Sequence, residues 1–210
     1  MGRKVIFRIS AVICGISGVI ILLGVMVPIV GYKPVTRKNQ TVLGSQSPDY
    51  TQASNWFTGG SKVDFVAQKV AFYNLTIPKL RIDNALVGIG GEDLSKSLIQ
   101  YPGTALPGKE GNTVIFGHSI LPLFYNPKSY MAIFSTLPTL KIGDQISVNY
   151  DGVSYIYKVE TMFEVHPTDI QVLEQDNSDS FLTLVTCVPP GDPRDPRRLI
   201  VRARIVPLSK

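Results

Sequence analysis

Between Ala71 and Val206 the chain breaks into short runs rich in Val, Ile, Thr, Phe and Tyr, each bounded by Gly, Asp, Asn or Pro. The runs are NLTIPKLRI, ALVGIG, NTVIFGH, DQISVNY, VSYIYKVETMFEV, SFLTLVTC and RLIVRARIV. β-Branched and aromatic residues suit a pleated, half-buried surface, and turn residues end each run. Seven or eight strands in about 140 residues imply a closed barrel or a sandwich. In NYDGVSYIY, Asp151-Gly152 supplies the positive φ angles that a tight hairpin turn needs. EDLSKSLIQ, Glu92 to Gln100, reads as a short helix with Leu94, Leu98 and Ile99 on one face. The expected fold class is therefore mostly β with a few short helices.

Upstream the character differs. After Arg3, Lys4 and Arg8, residues Ile9 to Val30 carry no charge, and about 20 such residues suffice to cross a bilayer as a helix. A cleaved secretory signal has a shorter apolar core, about 7 to 15 residues, and ends in a small-x-small site. This run is longer and ends VPIVGYK, so it reads as an uncleaved transmembrane anchor. Lys33, Arg37 and Lys38 compete with Arg3, Lys4 and Arg8 in the positive-inside count, which leaves the orientation open. Residues 31–70, rich in Ser, Thr, Gln, Asn and Gly without periodicity, read as a linker. Within it, Trp56 and Phe57 are expected to pack on the domain or at the lipid interface, and a lid over an active site is the second reading.

At 210 residues and 44% hydrophobic content the chain has room for one well-cored domain. Its formal charge is +5, but no basic run reaches the five or six residues of a nucleic-acid tail, so no nucleic-acid partner is expected.

Only two cysteines exist, Cys14 and Cys187. Cys14 lies inside the apolar run, so Cys187 is a free thiol or an intermolecular partner. A lone cysteine is ordinarily a small buried hydrophobe. Cys187, however, ends the strand SFLTLVTC, and the prolines of VPPGDPRDP cannot continue a ladder, which leaves its side chain at a strand end beside a loop. A thiol nucleophile needs a cationic or basic neighbour. His118 ends the apolar strand GNTVIFGHS, with Gly117 leaving its backbone uncrowded; His166, before Pro167, reads as an exposed turn residue. His118 is the preferred partner. Arg194, Arg197 and Arg198 follow the thiol.

TLVTC at Thr183 to Cys187, the strand RLIVRAR and the upstream YPGTALPGKEGNTVIFGHS together resemble the sortase family of cysteine transpeptidases. The resemblance covers about Asn74 to Val206 and has His, Cys and Arg in the family's order. It implies an eight-stranded β-barrel outside the cytoplasmic membrane, with residues 1–8 cytoplasmic, 9–30 the anchor, 31–70 an extracellular linker and 71–210 the catalytic domain.

The implied chemistry is attack by Cys187 on the threonine carbonyl of a Leu-Pro-x-Thr-Gly-like sorting signal on surface proteins. A thioacyl-enzyme forms and is resolved by an amine of a cell-wall precursor or a pilin. His118 would serve as general acid and base, and an arginine would stabilise the oxyanion. The family's arginine, three apolar residues and a second basic residue fit Arg198 to Arg202, which selects Arg198; Arg197 competes, since a one-residue register slip exchanges the strand faces. Trp56-Phe57 is the one candidate for the plug that covers pilin-polymerising members, so a non-pilin subclass is preferred. Some members bind calcium, for which Glu92, Asp93, Glu164 and Asp169 are the acidic residues available; they read better as solvated charges, and no cofactor is expected. The remaining alternatives are a hydrolytic cysteine peptidase, a non-enzymatic anchored domain binding a wall component, and a zinc site of Cys187, His118 and His166, which lacks paired ligand spacing.

Overall fold

A computed structural model describes Gly2, Ser17 and residues 50–57, 72–191 and 197–207. The chain divides into two units, Met1–Ser45 and Gln46–Lys210, and the fold below belongs to the second. The anchor read at Ile9 to Val30 lies outside the described residues apart from Ser17, and among those residues no helix is long and apolar enough to cross a membrane.

Eight strands close into a barrel: β1 Phe72–Ile77, β2 Ile82–Ile89, β3 Leu98–Gln100, β4 Gly111–Phe116, β5 Gln145–Tyr150, β6 Val153–Val165, β7 Ser180–Val188 and β8 Arg197–Ile205. Their order around the barrel is β1-β2-β3-β4-β7-β8-β6-β5. Closure leaves no full-length edge to pair with another chain. The β5–β6 hairpin turns at Asp151 and Gly152, with φ of 51° and 75°, as the sequence predicts.

Two apolar layers result. Leu75, Ile82, Val87, Leu98, Ile115, Leu182, Leu184, Leu199 and Val201 fill the barrel interior. A second cluster gathers Val114, Phe116, Val185 and Ile200 with Leu94, Ile99, Ala53 and Trp56. Strand side chains alternate, so this second cluster lies on the outer wall over β3, β4, β7 and β8. Every residue of β4 is buried, and so is all of β7 except Cys187. These two strands run parallel, and a parallel pair covered on both sides reads as a near-continuous apolar run.

One expectation is overturned. Glu92 to Gln100 is not a helix: it is a turn followed by β3, which pairs parallel with β2 and antiparallel with β4. Leu98 enters the barrel interior while Ile99 joins the outer cluster. That is the alternation of a strand, and two long-range ladders prevail over a weak 3.6-residue pattern.

Residues 50–57, read as linker, pack on this outer wall. Gln52 bridges Asp93, the Ala53 N–H donates to the Glu92 carbonyl at 3.2 Å, and the Leu94 N–H donates to the Thr51 carbonyl at 3.0 Å. The Trp56 indole N–H donates to the Tyr50 carbonyl at 2.8 Å, and its ring stacks on Phe116 with centroids 5.3 Å apart.

Candidate active site

Strand register assembles the site. Cys187 lies directly opposite Arg198 in the antiparallel β7–β8 ladder, where facing residues have Cβ atoms about 4.5–5.5 Å apart. On the other side, β4 runs parallel to β7 with Phe116 opposite Val185. Two residues beyond that pair in sequence come His118, just past the end of β4, and Cys187, still on β7. The alternation that turns Phe116, Val185 and Ile200 outward turns His118, Cys187 and Arg198 outward too. Cys187 and Arg198 therefore face each other on neighbouring strands, and His118, just past the end of β4, has its ring beside Trp56 on the wall that residues 50–57 cover.

The structure separates the two arginines. Arg198 is fully buried on the covered wall. Its Nε donates to the Trp56 carbonyl at 3.0 Å, and its guanidinium lies 5.2 Å from the Tyr50 ring centroid and 5.5 Å from that of Trp56. Arg197 is exposed, faces Val188 and pairs with Glu164 at 3.6 Å. Arg194 and Asp195 lie outside the described residues.

His118 is buried at 7% exposure, and its ring centroid is 5.8 Å from that of Trp56. Its carbonyl accepts a 2.9 Å bond from the Phe134 N–H. His166 is exposed just past β6, where its N–H donates to Asp169 Oδ2 at 2.8 Å. Cys187 is a free thiol. Burial pushes its pKa up, and the Arg198 charge opposes that rise.

The acidic residues considered for calcium do not converge. Asp93 pairs with Lys96 at 2.8 Å and accepts from Ser95, which holds its carboxyl at about 2. Glu164 faces Arg197 and Asp169 caps His166. Among the described residues no three His, Cys, Asp or Glu side chains group as metal ligands, the His118, Cys187 and His166 set included.

Sequence reasoning missed how His118 and Cys187 are held. The Thr186 hydroxyl donates to the Gly117 carbonyl at 2.8 Å, and the Ser119 hydroxyl donates to the Cys187 carbonyl at 2.6 Å. The only signal was a small hydroxyl residue beside each catalytic candidate, and hydroxyls are too common for that to stand out. The engagement of Arg198 by a backbone carbonyl leaves no trace in side-chain identity.

A sortase-domain family model matches residues 75–206. The chain is 25% identical over 189 residues to sortase A of Bacillus anthracis, covering 84% of each. It is 26% identical over 132 residues to sortase A of Streptococcus agalactiae serotype III strain NEM316, covering 62% of this chain and 51% of that one. Among solved structures, a lid mutant of sortase A from Corynebacterium diphtheriae superposes with a TM-score of 0.56 at 29% identity, over 67% of this chain and 72% of that one. Sortase C1 from Streptococcus suis gives 0.56 at 28%, over 67% and 74%. With the family's domain matched across β1 to β8 and its barrel reproduced, the chain belongs to the sortase family of cysteine transpeptidases.

Proposed function

We propose that this enzyme joins surface proteins bearing a Leu-Pro-x-Thr-Gly-like sorting signal to an amine of a cell-wall precursor or a pilin, through a thioacyl intermediate on Cys187. The observation that supports this reading is the pairing of Cys187 with Arg198 across the β7–β8 ladder, with the His118 ring on the same wall beside Trp56.

The Cys187 thiolate attacks the threonine carbonyl, forming a C–S bond. Collapse of the tetrahedral adduct breaks the Thr–Gly C–N bond, and His118 protonates the departing amine. The acceptor amine then attacks the thioester carbonyl and gives its proton to His118; a new amide forms and the thiolate leaves. Arg198, on the neighbouring strand, supplies a planar fork of N–H donors to the oxyanion. Its charge favours the thiolate over the thiol.

Residues 9–30 hold the enzyme in the membrane as a single pass, with residues 1–8 cytoplasmic and the barrel outside. Support for this comes from the uncharged run and from the membrane setting in which the family works.

The test is intact-mass spectrometry of the full chain in detergent after incubation with a Leu-Pro-x-Thr-Gly peptide, alongside Cys187→Ala, with triglycine added second. An adduct on the cysteine form alone that triglycine converts to a ligated peptide is the expected result. Release of free peptide acid at the same rate with and without triglycine would show a hydrolase instead. No adduct with a panel of varied motifs would sink the reading.

A further inference from the structure

The β4–β7 ladder ends at Phe116 and Val185, two residues short of His118 and Cys187. Past that point three bonds among the described residues tie the two strand ends together. The Gly117 N–H donates to the Val185 carbonyl at 3.2 Å, the Thr186 hydroxyl to the Gly117 carbonyl at 2.8 Å, and the Ser119 hydroxyl to the Cys187 carbonyl at 2.6 Å. The last two flank His118 on either side in sequence.

We propose that Ser119 is a positioning residue that sets the spacing between the Cys187 thiol and the His118 imidazole. This rests on the reading of Cys187 and His118 given above. The acceptor of the Ser119 bond is the carbonyl of the nucleophile itself, and the donor sits one residue beyond the imidazole. The loop side of this strand end is held independently: the Phe134 N–H donates to the His118 carbonyl at 2.9 Å and the Ile120 N–H donates to Ser135 Oγ at 2.9 Å. His118 is thus fixed to its own loop, and Ser119 fixes that loop to Cys187.

Thr186 is less suited to a test. It is fully buried in the barrel wall, and losing its hydroxyl strands the Gly117 carbonyl in the interior. Ser119 is only half-buried at the rim, where water can take its place at the Cys187 carbonyl without unfolding the barrel. Water satisfies the carbonyl but does not tie it to β4, so removing this hydroxyl separates geometry from stability.

Two consequences follow from a loosened pair. A thiolate draws support from a nearby imidazolium, so its apparent pKa rises as the pair opens. Proton delivery to the leaving amine is also misaligned, and a displacement of about 1 Å can cost about 10²-fold in rate.

The experiment uses the full chain in detergent in a Cys14→Ala background, with Ser119→Ala and Ser119→Thr. Single-turnover acylation and the pH dependence of Cys187 alkylation by iodoacetamide are measured beside the melting temperature. Ser119→Ala is expected to lower the maximal acylation rate by about tenfold or more, leave KM within about twofold, and move the alkylation midpoint to higher pH. Ser119→Thr, which keeps the hydroxyl, is expected to restore both. Wild-type rate and midpoint in Ser119→Ala overturn the proposal, as does a loss that follows a fall in melting temperature and is not rescued by threonine. Alkylation needs no substrate. If wild type forms no adduct with any peptide, the transpeptidase reading fails while the midpoint difference still decides the latch.

Discussion

Arg198 Nε donates a 3.0 Å hydrogen bond to the main-chain carbonyl of Trp56. The guanidinium across from the cysteine is thereby engaged by a peptide carbonyl of the chain itself, at a donor that the role proposed for Arg198 would turn to the substrate. The Trp56 side chain is fully buried against Phe116 and next to His118. On that proposed role, donor binding is expected to displace residues 50–57 from Arg198. A chain beginning at Gln46 and one beginning at residue 58 are expected to differ in thioacyl formation by on the order of tenfold, the factor that corresponds to about 1.4 kcal/mol of lost contact. The shorter chain should be faster. Equal rates with equal melting temperatures would mean that the segment is a fixed wall and not a barrier.

The pH dependence of the thiol follows from the two opposed causes at Cys187. Burial favours the neutral thiol and lifts its pKa, and Arg198 favours the thiolate and lowers it. Alkylation of the intact enzyme is thus expected to have its midpoint above the value near 8.5 of a free cysteine. Trp56→Ala admits water and should move the midpoint down. Arg198→Ala removes the charge and should move it up. A pair of shifts with the same sign would contradict this account.

The two arginines offer a sharper contrast. Arg198→Lys keeps a charge but loses the planar fork of donors, and loss of an oxyanion donor costs about 10²–10³ in turnover. Arg197→Ala removes an exposed ion pair with Glu164, worth about 0–1 kcal/mol. Its carbonyl, which accepts from Arg198 Nη1 at 3.2 Å, belongs to the backbone and remains. Steady-state rates with a fixed peptide should fall steeply for the first variant and stay near wild type for the second.

Most of the barrel was legible because its strands carry their own signal. Val153–Val165 matches the predicted run residue for residue, and Asp151-Gly152 marked its turn. Where the fold depends on contacts far apart in sequence, the signal failed. Leu98–Gln100 is three residues long and is a strand only because β2 and β4 flank it. The choice of Arg198 over Arg197 hung on one residue of register: the family pattern suggested Arg198, and the β7–β8 ladder puts that residue opposite Cys187. Trp56 was recognised as a packing residue, yet its carbonyl on Arg198 involves a main-chain atom that every residue possesses.

Gly117 tests how closely the histidine depends on packing beneath it. A Cβ at this position would lie 2.5 Å from Phe134 Cδ2 and 2.6 Å from Leu98 Cδ2, closer than real Cβ atoms approach other atoms. The conflict is one of space and not of backbone angle, since Gly117 is absent from the positive-φ glycines among the described residues. Overpacking a well-filled interior costs about 1–3 kcal/mol, roughly 2–12 °C in melting temperature for a domain of this size. Gly117→Ala should therefore melt lower and, because His118 is the next residue, acylate more slowly than its stability loss explains. Adding Leu98→Ala removes one of the two conflicts and gives the Phe134 ring room to shift, so it should recover acylation more fully than melting temperature, since it opens a cavity of its own. Recovery of neither would place the defect in the contact with Phe134 or in the backbone and not in the contact with Leu98.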